Sequence, residues 1–319
     1  MPQPTQAGSA ARFCHLCGRE LVGRFYVFDS SLVCCAACHR ARPHCARCGV
    51  PLDDTALARV RATPADPQLC ERCRREAKRC ACCLRVIVDQ QWYNLDDGGS
   101  AGELRHFCPS CWRQRPRCDL CRAPCGPGSA KLDDGQYRCA RCTSEMVMEP
   151  SQVRTLFADA VAAFGQVTGE RLARLPQVAP VSRRALAETR RRYGQAEAAA
   201  GIATAADHHV LGLFVREGPR TTIFVERALP RGVLLGTLAH ELGHAWQSER
   251  APEVADLELC EGFAEWVAHG VLARQGYVRE AALATRRDDV YGRGLRRYLA
   301  AERSRGRTGV LALATTGRG

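Results

Sequence analysis

The chain has 319 residues, room for two domains, with a formal charge of +12 and 6% aromatic residues. Twenty cysteines accompany that thin aromatic content, so part of the chain is expected to be held by something other than a large apolar core. MPQPTQAGSAARF holds no secretory apolar region and no apolar run reaches about eighteen residues. The expectation is a cytoplasmic protein with no membrane span, whose cysteines bind metal rather than pair as disulfides.

Residues 1–12 are small and polar and read as a disordered tail. Residues 13–145 carry eight Cys-x-x-Cys knuckles. In sequential pairs they are Cys14/Cys17 with Cys35/Cys38, Cys45/Cys48 with Cys70/Cys73, Cys80/Cys83 with Cys108/Cys111, and Cys118/Cys121 with Cys139/Cys142. Every junction has six residues: HRARPH, RREAKR and WRQRPR. Such regularity predicts four tandem four-cysteine zinc fingers. In modules this small, a structural zinc site contributes on the order of ten kcal/mol that apolar burial cannot. YNLDDGGSAGELRHFC at 93–108 and LDDGQYRC at 132–139 predict hairpins within them. The arrangement resembles tandem LIM zinc fingers, with a six-residue junction where a LIM module has two.

Cys34, Cys82 and Cys125 fall outside the pairing and read as spare thiols. Cys34 is an alternative to Cys35, and His39, His44 or His106 are alternatives to a cysteine ligand. Sixteen thiolates on four zinc ions would lower the formal charge by eight, so the basic excess is largely counter-charge. Trp92, Tyr93, Phe107, Trp112 and Tyr137 are too scattered for a base-stacking platform, and DNA readers of the classical type carry a recognition helix after the hairpin. The fingers are expected to contact protein partners, and nucleic acid is not an expected partner.

After Cys142 cysteine disappears until Cys260, marking a second domain over 146–305. Residues 151–165 predict a helix with Val153, Leu156, Phe157, Val161 and Phe164 inward and Ser151 as its cap. A second helix follows at 183–199, with Arg190 to Arg192 on a solvated face. Strands at 208–218 and 220–229 turn at Gly218-Pro219, and Thr222–Glu226 is the candidate for pairing with an extended peptide. Pro230 then breaks the strand. TLAHELGHAWQ at 237–247 places His240 and His244 one helical turn apart on one face, where both imidazoles can reach one metal ion. Glu241 stands beside that position, suited to taking a proton from a water. A second apolar helix carries CEGFAEW at 260–266 and supplies a carboxylate as third ligand, with Asp256 and Glu258 as nearer alternatives. Gln247 and Arg250 stand where a metzincin needs Gly and His, which rejects that class. A last helix is predicted at 286–303, and 306–319 as a loose tail.

CEGFAEW resembles the glutamate helix of gluzincins such as the aminopeptidase-N-like enzymes. That resemblance implies Glu261 as the ligand and Glu265 as the acceptor for a ligand histidine's free N–H. Residues 205–275, with LGLFV, TTIFVERALPRG, HELGHAW and Glu-Gly in order, are similar to the DA-one family of LIM-domain peptidases. The family is linked to ubiquitin, but this N-terminus carries no ubiquitin-interacting helix.

The fold class expected is therefore α+β: small LIM-like or zinc-ribbon fingers, then a mostly helical gluzincin-like domain with a small sheet. The function expected is a zinc-dependent endopeptidase with one catalytic and four structural zinc ions. Glu241 is its general base, and Tyr291, His269 or Tyr298 is the oxyanion donor. Two other classes are a zinc-finger adaptor with an inactive peptidase domain, and a nucleic-acid-associated regulatory protease.

Overall fold

The computed structural model describes residues 12–28, 32–62, 67–89, 91–96, 104–199, 210–254 and 256–317, together with Pro4–Thr5. Of the predicted N-terminal tail, Pro4–Thr5 forms a short strand β1, and residues 1–3 and 6–11 lie outside the described residues. The chain divides into two compact units, Met1–Leu95 with Arg105–Arg115 and Asp96–Leu104 with Pro116–Gly319.

The first unit holds three cysteine repeats. In each, the residue before the first cysteine bridges the residue three past the second: Phe13 with Glu20, His44 with Pro51, Arg79 with Val86. The chain reverses at the residue after the second cysteine, which has positive φ: Gly18 (67°), Gly49 (73°) and Leu84 (63°). Glycine takes that conformation without strain, whereas Leu84 is held there by the knuckle. The second cysteine pair of each repeat opens a helical turn. Cys35 caps α1 (Ala36–Ala41), Cys70 caps α3 (Glu71–Glu76) and Cys108 caps α4 (Pro109–Gln114), each sulfur accepting from a backbone N–H three residues on. These helices occupy the start of the six-residue junctions. Strands β2 (Phe25–Val27) and β3 (Val33–Cys35) form the first hairpin, β1 pairing with β2. Strands β4 (Tyr93–Asp96) and β5 (Leu104–Phe107) form the third. The middle repeat has helix α2 (Asp54–Ala62) between its knuckles instead of a hairpin. Small cores centred on Leu52 and Phe25 fill these modules.

The second unit begins with the fourth repeat, β6 (Ala130–Lys131), β7 (Tyr137–Arg138) and α5 (Ala140–Ser144). The sequence placed the domain boundary at 145/146, whereas the structure places it before residue 116. A fully buried ion pair ties the fourth repeat to the sheet that follows: Arg138 on β7 donates to Glu226 at 2.8 Å, with side-chain exposures of 0% and 1%. Val147 donates to the Leu229 carbonyl, and Arg231 to that of Glu145, so the fourth repeat is bonded to the following domain.

Helix α6 (Pro150–Thr168) buries Val153, Leu156 and Phe164. Its cap is Glu149 in a capping box with Gln152, not Ser151, because Pro150 at the first helical position has no N–H to give up. Strand β8 (Gln177–Val181), helix α7 (Arg183–Ala199), strand β9 (Gly212–Glu217) and strand β10 (Arg220–Glu226) follow. His208 and His209, at the start of the predicted strand, lie outside the described residues. The sheet order is β8-β10-β9, so β10 is central, parallel to β8 and antiparallel to β9. The predicted peptide-pairing segment Thr222–Glu226 is thus interior, with both edges used, and among the described residues β9 is an edge beside the following helix. Pro180 is tolerated because β8 is the other edge.

Helices α8 (Arg231–Arg250) and α9 (Leu257–Arg274) cross at Gly243, where a Cβ would lie 2.8 Å from the Ala264 Cα. On the next face of α9, a Cβ at Gly262 would meet Gly294 at 2.6 Å. These glycines let the backbones approach closely enough for side chains of α8 and α9 to share one centre. Helix α10 (Val278–Thr285) and helix α11 (Val290–Thr316) close the core. The predicted loose tail is helical as far as Thr316: α11 turns at Gly306 (φ 65°), and Val310, Leu313 and Ala314 then pack inward. No described helix is long and apolar enough to cross a membrane.

Candidate metal centre

Sixteen cysteines gather in four groups, the same sixteen in the same pairing that their spacing predicts, and each group could hold a zinc ion. Sulfurs around a tetrahedral zinc, at bonds of about 2.3 Å, stand about 3.8 Å apart, against about 2.05 Å in a disulfide. Cys17 and Cys35 sulfurs are 3.9 Å apart, Cys48 and Cys70 3.7 Å, and Cys121 and Cys139 3.5 Å. Burial opposes ionisation of the leading thiols, but backbone N–H donors outweigh it and pull Cys14 to about 6 and Cys45 and Cys80 to about 7. Burial and the neighbouring thiols push Cys38 and Cys111 to about 12. Four such thiols ionise together only around a cation. Cys34, Cys82 and Cys125 are buried outside these groups. His39 stacks on Tyr26, His44 packs edge-on to His39, and His106 bonds Asn94, so none of them joins a cysteine group.

A fifth group consists of His240, His244 and Glu261. The His240 and His244 Nε2 atoms are 3.0 Å apart, and Glu261 Oε2 is 3.2 Å from the first and 3.4 Å from the second. Ligand atoms on a tetrahedral zinc with bonds of about 2.0–2.1 Å stand about 3.3–3.4 Å apart, close to this triangle. Glu261 Oε2 is buried and faces both Nε2 atoms. Two imidazole nitrogens and a carboxylate oxygen, half-buried and convergent, are a donor set that fits a cation.

The histidines are oriented from behind. His244 Nδ1 meets Gln247 Oε1 at 3.0 Å, and Gln247 Nε2 donates to the Cys260 carbonyl at 3.1 Å. A proton on Nδ1 leaves the Nε2 lone pair pointing at the centre. In the sequence Gln247 stands out only as a departure from the metzincin pattern. Its position three residues after His244, on the same helical side, was the available signal. Glu265 Oε1 lies 3.6 Å from His240 Nδ1, on the far side of the ring from Glu261, and accepts from Arg287 at 3.3 Å. Arg287 also binds Asp289 and lies 4.5 Å above the Tyr291 ring.

Burial disfavours charge on His244, but the Glu261 carboxylate outweighs it and raises the imidazole to about 9. Burial likewise opposes the Glu261 charge, and both histidines overcome it, holding the carboxyl well below its usual range.

Glu241 is 5% exposed, and its Oε2 accepts from the Phe214 N–H of β9 at 2.8 Å. A Cβ at Gly212 would fall 2.7 Å from Glu241 Oε1, so this edge strand needs glycine to admit the carboxylate. Burial raises the Glu241 carboxyl, while the histidines and the Phe214 N–H oppose that rise. Asp256 caps α9 through the Leu259 N–H, and Glu258 pairs with Arg293, so neither alternative ligand reaches the centre. Tyr291 lies beside His240, with ring centroids 6.0 Å apart. Tyr298 is fully buried against Phe263, and His269 is a half-buried residue of α9 influenced by Glu302 and Glu265.

No protein-family model matches this chain, and comparison with curated proteins and with solved structures finds no match.

Proposed function

We propose that the chain is a zinc-dependent endopeptidase of the DA-one-like, gluzincin type that residues 205–275 resemble, preceded by zinc fingers that contact protein partners. The observation that carries this reading is the His240–His244–Glu261 triangle with the Glu241 carboxylate pinned beside it. A zinc ion there would supply Lewis acidity toward a carbonyl and bring the pKa of a water near neutrality.

His240, His244 and Glu261 would hold the ion, three protein ligands leaving a fourth position open. Gln247 would fix the His244 ring, and Glu265 would face the outer nitrogen of His240 from 3.6 Å. The Phe214 N–H holds one oxygen of Glu241 and leaves the other to take the proton of the attacking water, then to pass it to the departing amine. Burial raises Glu241 toward the range in which a base is effective. Tyr291, like any tyrosine, is protonated at neutral pH, and burial and the Glu261 charge raise its phenol further, so it could donate to a developing oxyanion. An intact base also favours an enzyme over a scaffold.

Proteins from cells expressing the wild-type chain or Glu241→Gln can be compared by sequencing their new N-termini. The expected result is a set of cut sites present only with wild type. Identical sets would overturn the reading.

A further inference from the structure

A cavity of about 490 Å³ opens between β9, the last turns of α8 and the segment before β8. We infer that it is a specificity pocket for an acidic side chain of the peptide substrate, about two residues to the amino-terminal side of the cleaved bond. This rests on the peptidase reading above.

None of the candidate ligands lines the cavity, but Phe214, Ala245 and Ser248 do, and each is tied to the metal centre through β9 or α8. Phe214 is the residue whose N–H holds Glu241. Ala245 follows ligand His244, and Ser248 lies one turn beyond it on the same face of α8, about 5–6 Å along the axis. Strand β9 runs in the same sense: Gly212 is against Thr237 and Glu241, and Arg216 reaches the Ser248 carbonyl at 3.0 Å. An extended peptide antiparallel to this edge runs from the cavity toward Glu241, and 5–6 Å is about two residues at roughly 3.3 Å each.

The walls are basic. Arg174, Arg216 and Arg250 line the cavity with one carboxylate, Glu249. Glu249 is already engaged, its two oxygens accepting from the Ala173 and Arg174 backbone N–H groups at 2.9 and 3.4 Å. Arg174 and Arg216 bond backbone carbonyls of Pro219 and Ser248, and Arg250 stands 3.9 Å from Glu170. The guanidinium groups therefore keep donors for an incoming carboxylate, which they bind in a fork.

The test is a degenerate peptide library digested with the zinc-loaded full chain, with the products sequenced. Asp and Glu should be enriched over Lys and Arg at the second or third residue before the cut, on the order of tenfold for a partly enclosed cluster of like charges. Arg216→Glu, and independently Arg174→Glu, should abolish or reverse that bias. An unbiased profile, or one that both reversals leave unchanged, overturns the pocket. A second arm measures fluorescence anisotropy of labelled acidic and basic peptide pools on Glu241→Gln, which needs no cleavage. Tighter binding of the acidic pool, lost in Arg216→Glu, supports the pocket even if the wild type cuts nothing and the peptidase reading falls. Equal binding of the two pools overturns it.

Discussion

Glu261 and Glu265 lie one turn apart on α9, and removing each should have a different consequence. Glu261 Oε2 completes a triangle with both Nε2 atoms at 3.2 and 3.4 Å, whereas Glu265 faces only the outer nitrogen of His240, at 3.6 Å. Truncating Glu265 leaves three ligands and frees one ring to rotate, a loss of typically about 10–100-fold in affinity or activity. Truncating Glu261 leaves two neutral imidazoles and takes the only carboxylate from the triangle, so the loss should exceed that range. The assay is metal analysis after equilibration at micromolar free zinc. Four cysteine groups and the fifth site predict five ions in wild type and Glu265→Ala, and four in Glu261→Ala. Zinc lost from Glu265→Ala but kept by Glu261→Ala would refute the assignment.

Arg138→Met should destabilise the second unit by about 3–5 kcal/mol in urea unfolding, since it strands the buried Glu226 carboxylate, and the double change with Glu226→Met should recover most of that; a loss below about 1 kcal/mol would contradict the account. In the metal-free site the Glu261 charge outweighs burial and raises His244 to about 9, so below pH 9 zinc must displace that proton. Affinity at the fifth site, followed by chelator competition, should then fall at least about tenfold per unit as pH drops from 8 to 6, and a flat profile would contradict this. Arg122, at φ 63° in the fourth knuckle, occupies the position filled by glycine in the first two repeats. Arg122→Gly should leave the fold intact and raise unfolding stability by up to about 1 kcal/mol, whereas a clear loss would show that its side chain matters more than its strain.

The candidate metal-binding residues are legible because ligand chemistry imposes local spacing. Cys-x-x-Cys and His-x-x-x-His are short-range patterns, and the structure groups those residues as their intervals suggest. What depends on distant pairing was not legible. Arg138 and Glu226 are 88 residues apart, and nothing local marks either as buried, so the fourth repeat looked like its three predecessors. Strand β8 is five residues with a proline, too short to read, and without it β10 looked like an edge. Gly306 looked like the end of order, because its left-handed turn hides the apolar stripe that follows. Gln247 and Phe214 act on the site through contacts that only the packing of α8 against α9 and β9 creates.

The central claim is that Glu241 is the base of a zinc peptidase. Its most direct test compares purified wild type and Glu241→Gln at equal zinc content on a peptide the wild type cleaves. The amide is nearly isosteric and can still accept from the Phe214 N–H, but it cannot take the water's proton. The account predicts five zinc ions in both proteins and a kcat/KM reduced by about 10²–10⁴-fold or more in the variant. Cleavage by Glu241→Gln at the wild-type rate would contradict it.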